Sequence, residues 1–195
     1  AVDGTLYSFD GSYAVESELT NGSGYWLRFD ASGSTEITGA EITSLSIDLS
    51  EGWNLISGIS STVSLGGISD PAGLIVEGTL YGYDGSYVNS NDLEPGSGHW
   101  LRASADGDIT LSSMNASARS MEMTNHLADA NTLKLSSGSH STTLYFGKDV
   151  PEGEELNYSV PPVFPQMAFD ARFAGSMSYT KDMGEISIIN TNKDL

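Results

Sequence analysis

The sequence GTLYSFDGSY at residues 4–13 returns as GTLYGYDGSY at residues 78–87. A second stretch, GSGYWLR at residues 22–28, returns as GSGHWLR at residues 96–102. Both pairs lie 74 residues apart with no insertion, so the two copies are predicted to follow the same backbone path. Short duplicated segments rich in glycine and aromatic residues indicate a repeat architecture built from small β modules.

The two copies differ in what precedes them. Before the second copy, Leu45, Ile47 and Leu49 alternate with polar residues as in a half-buried strand, and GWNLIS at residues 52–57 predicts another strand. Residues 40–112 are therefore predicted to form a complete repeat module, and residues 1–39 the C-terminal half of another. Either the missing strands belong to a longer parent protein, or a different chain supplies them by strand addition.

Residues 113–195 do not repeat and are predicted to form a β-sandwich-like domain, which we expect to be truncated. Its strand-like runs are residues 132–135, 142–147, 169–173 and 185–189. The prolines of residues 161–165 cannot donate ladder hydrogen bonds, which predicts an edge or a crossing loop. Four apolar side chains are predicted to be buried in the link before these strands, namely Met114, Met121, Met123 and Leu127. The whole chain is thus predicted to be all-β, with tandem small antiparallel modules followed by this domain.

Turn chemistry supports the same organisation. Asp84-Gly85 tolerates positive φ and predicts a hairpin, as Asp10-Gly11 does in the first copy. Gly138-Ser139 predicts a hairpin in the last domain, and residues 106–108 predict one that joins the strand at residues 99–103 to residues 109–111.

Composition excludes several classes of partner. The chain has 195 residues, with 8 basic and 26 acidic side chains and a formal charge of −18, so neither nucleic acid nor an anionic membrane is an expected partner. The acidity indicates either a well-solvated surface or dispersed calcium sites. There are no cysteines, which excludes disulfides and thiolate chemistry. No apolar run is long enough for membrane insertion.

Catalytic motifs are missing from the sequence. The histidines, His99, His126 and His140, lie in unrelated contexts, and neither HExxH nor GxSxG occurs. His99 replaces Tyr25 between the repeats, which favours a surface aromatic over a general base. We therefore expect a protein that is not an enzyme and that holds no cofactor, unless calcium binds.

Aromatic residues are the best candidates for ligand binding. Tyr13, Tyr25, Tyr87 and His99 are the candidates for a sugar-stacking platform. The tryptophans Trp26, Trp53 and Trp100 are instead predicted to be structural, which leaves Tyr25 and His99 facing outward. Arg28 and Arg102 recur in both copies and are predicted either to pair with nearby carboxylates or to lie over an aromatic ring.

Two aspartates are candidates for metal binding. Asp10 and Asp84 each precede Gly-Ser in a repeated turn, and their carboxylates suit calcium. The full spacing of an EF-hand loop is missing, and Asp-Gly is also a common hairpin turn. The turn interpretation is favoured for both residues.

Two stretches resemble known modules. The motifs GWNLIS at residues 52–57, YDGSY at 83–87 and LEPGSGHWL at 93–101 resemble a β module that recurs in large secreted bacterial surface proteins. The motifs TLYFG at 143–147, YSVPP at 158–162 and FDARF at 169–173 resemble the domain that commonly follows it. The first copy departs from this pattern because it has no Gly-Trp-Asn strand, and Thr20-Asn21 replaces Glu94-Pro95.

The resemblance implies a location and a role. Proteins with these modules are often cargo of type IX secretion, which implies an extracellular or outer-cell-surface position. It implies a structural or adhesive function with self-association, or other surface proteins, as partners. A carbohydrate-binding accessory module of a secreted hydrolase is the alternative, with glycans as partners.

Overall fold

The computed structural model describes residues 2–34, 38–114, 124–164, 167 and 169–190. The protein is all-β, as predicted, with several small sheets and short 3₁₀ turns at Leu65–Gly67 and Glu155–Tyr158. In chain order the strands of the described residues are β1 (Tyr7–Phe9), β2 (Tyr13–Val15), β3 (Ser44–Leu49), β4 (Gly52–Ser57), β5 (Val63–Ser64), β6 (Tyr81–Tyr83), β7 (Tyr87–Asn89), β8 (Asp92–Leu93), β9 (Gly98–Ala103), β10 (Gly107–Ser112), β11 (Asn131–Ser137), β12 (His140–Phe146), β13 (Phe169–Phe173), β14 (Tyr179–Thr180) and β15 (Ile186–Asn190).

The chain divides into two compact units. Unit one comprises Ala1–Ile75 and Ser90–Met121, and unit two comprises Val76–Asn89 and Glu122–Leu195. The β6–β7 hairpin, which belongs to the repeat by sequence, therefore clusters with unit two. The boundaries 1–39, 40–112 and 113–195 stay predictions.

Two antiparallel strand pairs form the centre of unit one. Strand β4 pairs with β9, and β3 pairs with β10. The turn from β3 to β4 and the turn from β9 to β10 each lead from one pair to the other. A hydrogen bond joins the two turns, because the Glu51 amide donates to Asp106 Oδ1 at 2.7 Å. The predicted hairpin from β9 to β10 is therefore wrong. The turn after β9 leads to a different partner because the Ser104 amide donates to the Leu74 carbonyl and directs the chain away from β9.

The apolar residues of these pairs make the core of unit one. Leu45, the first apolar residue of the β3 pattern, is only partly buried. The later apolar residues of that pattern and the apolar residues of β9 and β10 are buried. They include Ile47, Leu49, Trp100, Leu101, Ala103, Ile109 and Leu111. Burying a large aliphatic side chain contributes about 1.5–3 kcal/mol, so this core is the main source of stability for unit one.

The first repeat shares a strand with the second. In the first repeat, Trp26 pairs with Tyr7 of β1 through two reciprocal hydrogen bonds of 2.9 Å. The preceding residues pair with the free side of β4: the Gly24 amide donates to Leu55 O, and the Ser57 amide donates to Gly22 O, both at 2.9 Å. Strand β4 thus carries β9 on one edge and the first repeat on the other. The half module takes part of its pairing from the module that follows.

The repeated hairpins have the same backbone, as predicted from the 74-residue offset. The pair Phe9↔Tyr13 of β1–β2 corresponds to Tyr83↔Tyr87 of β6–β7. In both turns the aspartate amide donates to the serine carbonyl two residues on, at 3.1 Å. The intervening glycines, at residues 11 and 85, have φ of 70° and 73°, a conformation that other residues rarely adopt.

Unit two contains two further sheets. Strands β11 and β12 form the predicted hairpin, and β14 adds to β12 in parallel. Strands β13 and β15 form an antiparallel pair. Residues 161–164 are irregular, in agreement with the predicted loop, and residues 165, 166 and 168 lie outside the described residues.

The predicted buried residues of the link have different outcomes. Leu127 is buried beside Tyr158 and Tyr179, as predicted. Met114 is 88% exposed, so the prediction that it is buried is wrong. It follows the last strand of unit one, where no described strand lies over it. Met121 and Met123 lie outside the described residues.

Candidate functional site

Trp100 lies at the centre of an aromatic cluster in unit one. Phe9 and Trp53 approach it edge-on, with ring centroids 4.8 and 6.3 Å from the Trp100 ring. Tyr13 lies 6.4 Å away and also contacts Phe9 at 5.1 Å. Edge-to-face pairs of this kind contribute about 0.5–1.5 kcal/mol beyond simple burial. The prediction that Trp100 is structural is confirmed, and Tyr13 is a packing partner in the same cluster.

The predicted outward pair does not form. His99 is only 4% exposed, so the prediction that it faces outward is wrong. It lies in β9, where it is the register partner of Ile56 in β4. Burial lowers the pKa of His99, and the Ser97 backbone and the charge of Glu94 partly offset this effect. An imidazole in this position is held neutral.

Tyr25, the counterpart of His99, has a different environment. Its ring is half-buried, and its hydroxyl accepts a hydrogen bond of 2.9 Å from the Thr20 amide. The Tyr25 side chain therefore stabilises the turn that precedes it in the sequence. Because His99 is buried, these two residues do not form a joint stacking surface.

The two repeated arginines also differ. The guanidinium carbon of Arg102 lies 5.8 Å from the centre of the Trp53 ring, so the prediction that this arginine lies over an aromatic ring is confirmed. Burial lowers the pKa of Arg102, and the nearby charge of Glu51 raises it. Arg28 is exposed, and its carbonyl accepts a 2.8 Å hydrogen bond from the Val2 amide. The side chain of Arg102 thus stabilises the aromatic cluster.

Tyr87 and its neighbour Tyr81 bind the proline-rich segment of unit two. The Tyr87 hydroxyl donates to Pro162 O at 2.6 Å, and the Tyr81 hydroxyl donates to Ser159 O at 3.1 Å. Burial raises the pKa of Tyr81. Both tyrosines therefore hold the β6–β7 hairpin within this unit, and the Tyr87 hydroxyl is already engaged.

A buried ion pair connects two motifs of the resemblance. Arg172 donates from Nε and Nη2 to the two carboxylate oxygens of Asp170 at 2.6 and 2.8 Å. Its Nη1 donates to Pro161 O at 2.6 Å. Both side chains are buried, and removing one partner of such a pair costs about 3–5 kcal/mol. The FDARF motif is therefore joined to the YSVPP motif by a structural contact.

The candidate calcium ligands lie in the two repeated turns. Asp10 and Asp84 both use their amides to close the hairpin, as the turn interpretation predicts. In the described part of the chain, no group of three or more His, Cys, Asp or Glu side chains could hold a metal ion. Nor does any helix among these residues have the length and apolar character to cross a membrane.

Unit two has an open cavity with an acidic wall. Its volume is about 580 Å³, and its lining includes Asp149, Glu152, Glu155, Met177, Tyr179 and Lys181. Lys181 pairs with Asp149 at 2.6 Å, which neutralises one carboxylate. The Tyr179 hydroxyl donates to the Lys148 carbonyl, and burial raises its pKa. The arrangement can accept a cationic group, but it presents no nucleophile paired with a base.

The first repeat exposes an apolar face that the sequence did not predict. Leu19, Leu27 and Phe29 are 66%, 39% and 60% exposed. Their counterparts 74 residues later, Leu93, Leu101 and Ala103, are 0%, 0% and 1% exposed. We call the Leu19, Leu27 and Phe29 surface the open face. The sequence carries no local signal for this difference, because leucine stands at both residues 19 and 93 and at both residues 27 and 101.

Comparisons with known proteins identify no relative. No family model, no curated protein and no solved structure matches this chain.

Proposed function

We propose that this chain is a structural or adhesive β module of an extracellular or outer-cell-surface protein, and that it has no catalytic role. One observation carries the proposal: the first repeat is hydrogen-bonded to β4 of the second repeat through Gly22 and Gly24. Consecutive repeats are thereby joined through sheet hydrogen bonds. Repeats that share an interface are stabilised by their neighbours, which suits an element that must keep its shape under load.

Charge and composition support an exposed location. The formal charge of −18 favours solubility and weakens contact with anionic surfaces. The sequence contains no cysteine, so disulfides cannot brace the module. The shared strand and the aromatic cluster around Trp100 therefore provide the cohesion of unit one. Expected partners are other copies of such modules or other surface proteins.

A carbohydrate-binding accessory module is the competing function. It requires exposed aromatic rings that a sugar can stack on, and Tyr25 with His99 was the leading pair. His99 is buried, and Tyr13 packs beside Trp100. These positions favour packing over ligand binding, so the structural role is the better-supported proposal.

Pulling on the full chain tests the structural role. The sequence has no cysteine, so the replacements Val2→Cys and Ser112→Cys give two unique attachment points for optical tweezers. We expect both repeats to rupture in one cooperative step, because they share β4. Two independent ruptures in the otherwise unmodified chain would contradict the proposal.

A matched pair of glycine variants sharpens this test. A Cβ on Gly24 would lie 2.5 Å from Ile56 O, whereas a Cβ on Gly98 would lie no closer than 3.5 Å to its neighbours. Gly24→Ala should therefore weaken the pairing of the first repeat with β4 by about 1–3 kcal/mol. The first repeat should then rupture in a separate step, at a lower force than the second. Gly98→Ala should rupture as the parent does. Equal behaviour of the two variants would show that the Gly24 contact does not join the repeats.

A glycan array tests the competing function. The structural role predicts no saturable binding of any glycan to the intact chain. Binding that disappears in Tyr25→Ala, with unchanged thermal unfolding, would instead support the carbohydrate-binding module.

A further inference from the structure

The open face of the first repeat has a template in the second repeat. There, Leu101 and Ala103 lie in β9, which pairs with β4 along its full length. Leu93 lies in β8, which pairs with β5, and the register joins Leu93 to Val63. The single segment 52–64 therefore supplies the strand partners of all three counterparts of the open face.

The backbone next to the open face is also available. Among the residues that the structure describes, the amide and carbonyl groups of Leu27 and Phe29 have no hydrogen-bond partner. Their counterparts Leu101 and Ala103 are paired with Asn54 and Gly52. An edge with unpaired amides beside exposed apolar side chains is a template for strand addition.

The turn before this edge is already in place. The Thr20 amide donates to the Tyr25 hydroxyl, and the Ser23 amide donates to the Thr20 carbonyl at 3.2 Å. These bonds fix the turn between Leu19 and the segment that carries Leu27 and Phe29. The equivalent turn of the second repeat has the same bond from the Ser97 amide to the Glu94 carbonyl, also at 3.2 Å. The open face is therefore preorganised in the arrangement that its covered counterpart adopts.

We propose that the open face binds an extended segment with the apolar pattern of residues 52–64, which adds as a strand along the unpaired edge of Leu27 and Phe29. The added strand would pair with the backbone of Leu27 and Phe29, and its apolar side chains would cover Leu19. This inference deepens the proposed structural role and rests on it, because it names the surface through which one module joins the next. The partner is identified by chemistry: alternate apolar residues that correspond to Ile56 and Val63, which are buried in the second repeat.

A peptide added in trans tests the proposal. The probe is a fluorescein-labelled peptide of residues 52–64, titrated with the full chain and followed by fluorescence anisotropy. We expect saturable binding. The control peptide carries Ile56→Asp and Val63→Asp, which removes the two apolar contacts and should weaken binding at least about tenfold. Equal binding of both peptides, or no binding of the parent peptide, would overturn the proposal.

Variants of the full chain place the binding on the open face. Leu27→Asp and Phe29→Asp should each abolish peptide binding, while Val88→Asp, on an exposed side chain of the second hairpin, should leave it unchanged. Thermal unfolding of each variant shows whether it is folded, and two open-face variants keep the test valid if one is not. Binding that survives in folded Leu27→Asp and Phe29→Asp would overturn the assignment.

Two other outcomes separate this inference from the proposed function. A dimer that forms without peptide and dissociates in Leu27→Asp would assign the open face to a second copy and overturn the choice of partner. If the peptide does not bind but the full chain still ruptures in one cooperative step under force, the structural role stands and only this inference is rejected.

Discussion

Residues 19–29 and residues 93–103 are two versions of one segment with opposite burial. Both contain a turn closed by the same amide-to-carbonyl bond, followed by Gly-Ser-Gly and an extended segment. Leu101 is fully buried in the second segment, whereas Leu27 is substantially exposed in the first. The two segments differ in pairing: β8 and β9 of the second pair with β5 and β4, whereas the backbone groups of Leu27 and Phe29 have no partner among the described residues. In this protein the repeated sequence determines local conformation, and neighbouring strands determine what becomes core.

The largest expected effect comes from truncating equivalent leucines. Leu101→Ala should lower the free energy of unfolding by about 2–5 kcal/mol, because it leaves a cavity in a packed core. Leu27→Ala should change it by less than about 0.5 kcal/mol, since the side chain is exposed. Urea unfolding of both variants measures the difference. Similar losses in the two variants would mean that Leu27 is covered in solution.

A smaller effect is expected from tyrosine hydroxyls. Tyr81→Phe removes a donor from the buried Ser159 carbonyl and should cost about 1–3 kcal/mol. Tyr25→Phe removes the acceptor of an exposed amide, which water can replace, and should cost less than about 0.5 kcal/mol. Chemical denaturation followed by tyrosine fluorescence gives both values. A larger loss for Tyr25→Phe would reverse the proposed order of the two contacts.

The smallest effect is a pH dependence of folding stability that comes from His99, which stands where the first repeat has Tyr25. Burial lowers the pKa of His99 in the folded chain, so below about pH 6.5 the unfolded chain binds more protons than the folded one. This contribution to stability is present above pH 6.5 and is lost as the pH falls through the folded pKa. Its slope cannot exceed about 1.4 kcal/mol per pH unit.

The control for this prediction is His99→Phe, which keeps an aromatic ring without a titrating group. The stability difference between parent and variant should change as the pH falls below about 6.5 and be constant above that pH. A constant difference across the whole range would mean that His99 is solvated.

Much of the fold follows from the sequence, because its signals are local. The alternation of Leu45, Ile47 and Leu49 predicted β3, and Asp84-Gly85 predicted the β6–β7 turn. The repeat itself predicted that β1–β2 would have the same register. Strands β5 and β14 have two residues each, too few for a pattern to be recognised.

Pairing partners and burial could not be predicted in the same way. The alternation of Ile109 and Leu111 shows a half-buried strand, but it does not say that β10 pairs with β3 and not with β9. His99 was expected outside because Tyr25 replaces it in the first copy. That reasoning assumed that equivalent positions have equivalent surroundings, but His99 is buried and Tyr25 is half-buried.

The sharing of β4 also sets an order of events during synthesis. Gly22 and Gly24 leave the ribosome well before Leu55 and Ser57, their partners in the sheet. At about 5–20 residues per second, translation of the roughly 30 residues that separate them takes about 1.5–6 s. For that interval the first repeat has made its own hairpin but has no strand to pair with on this side. Its maturation therefore depends on the arrival of its neighbour, and slower translation of residues 25–57 would prolong the exposure of this unpaired strand.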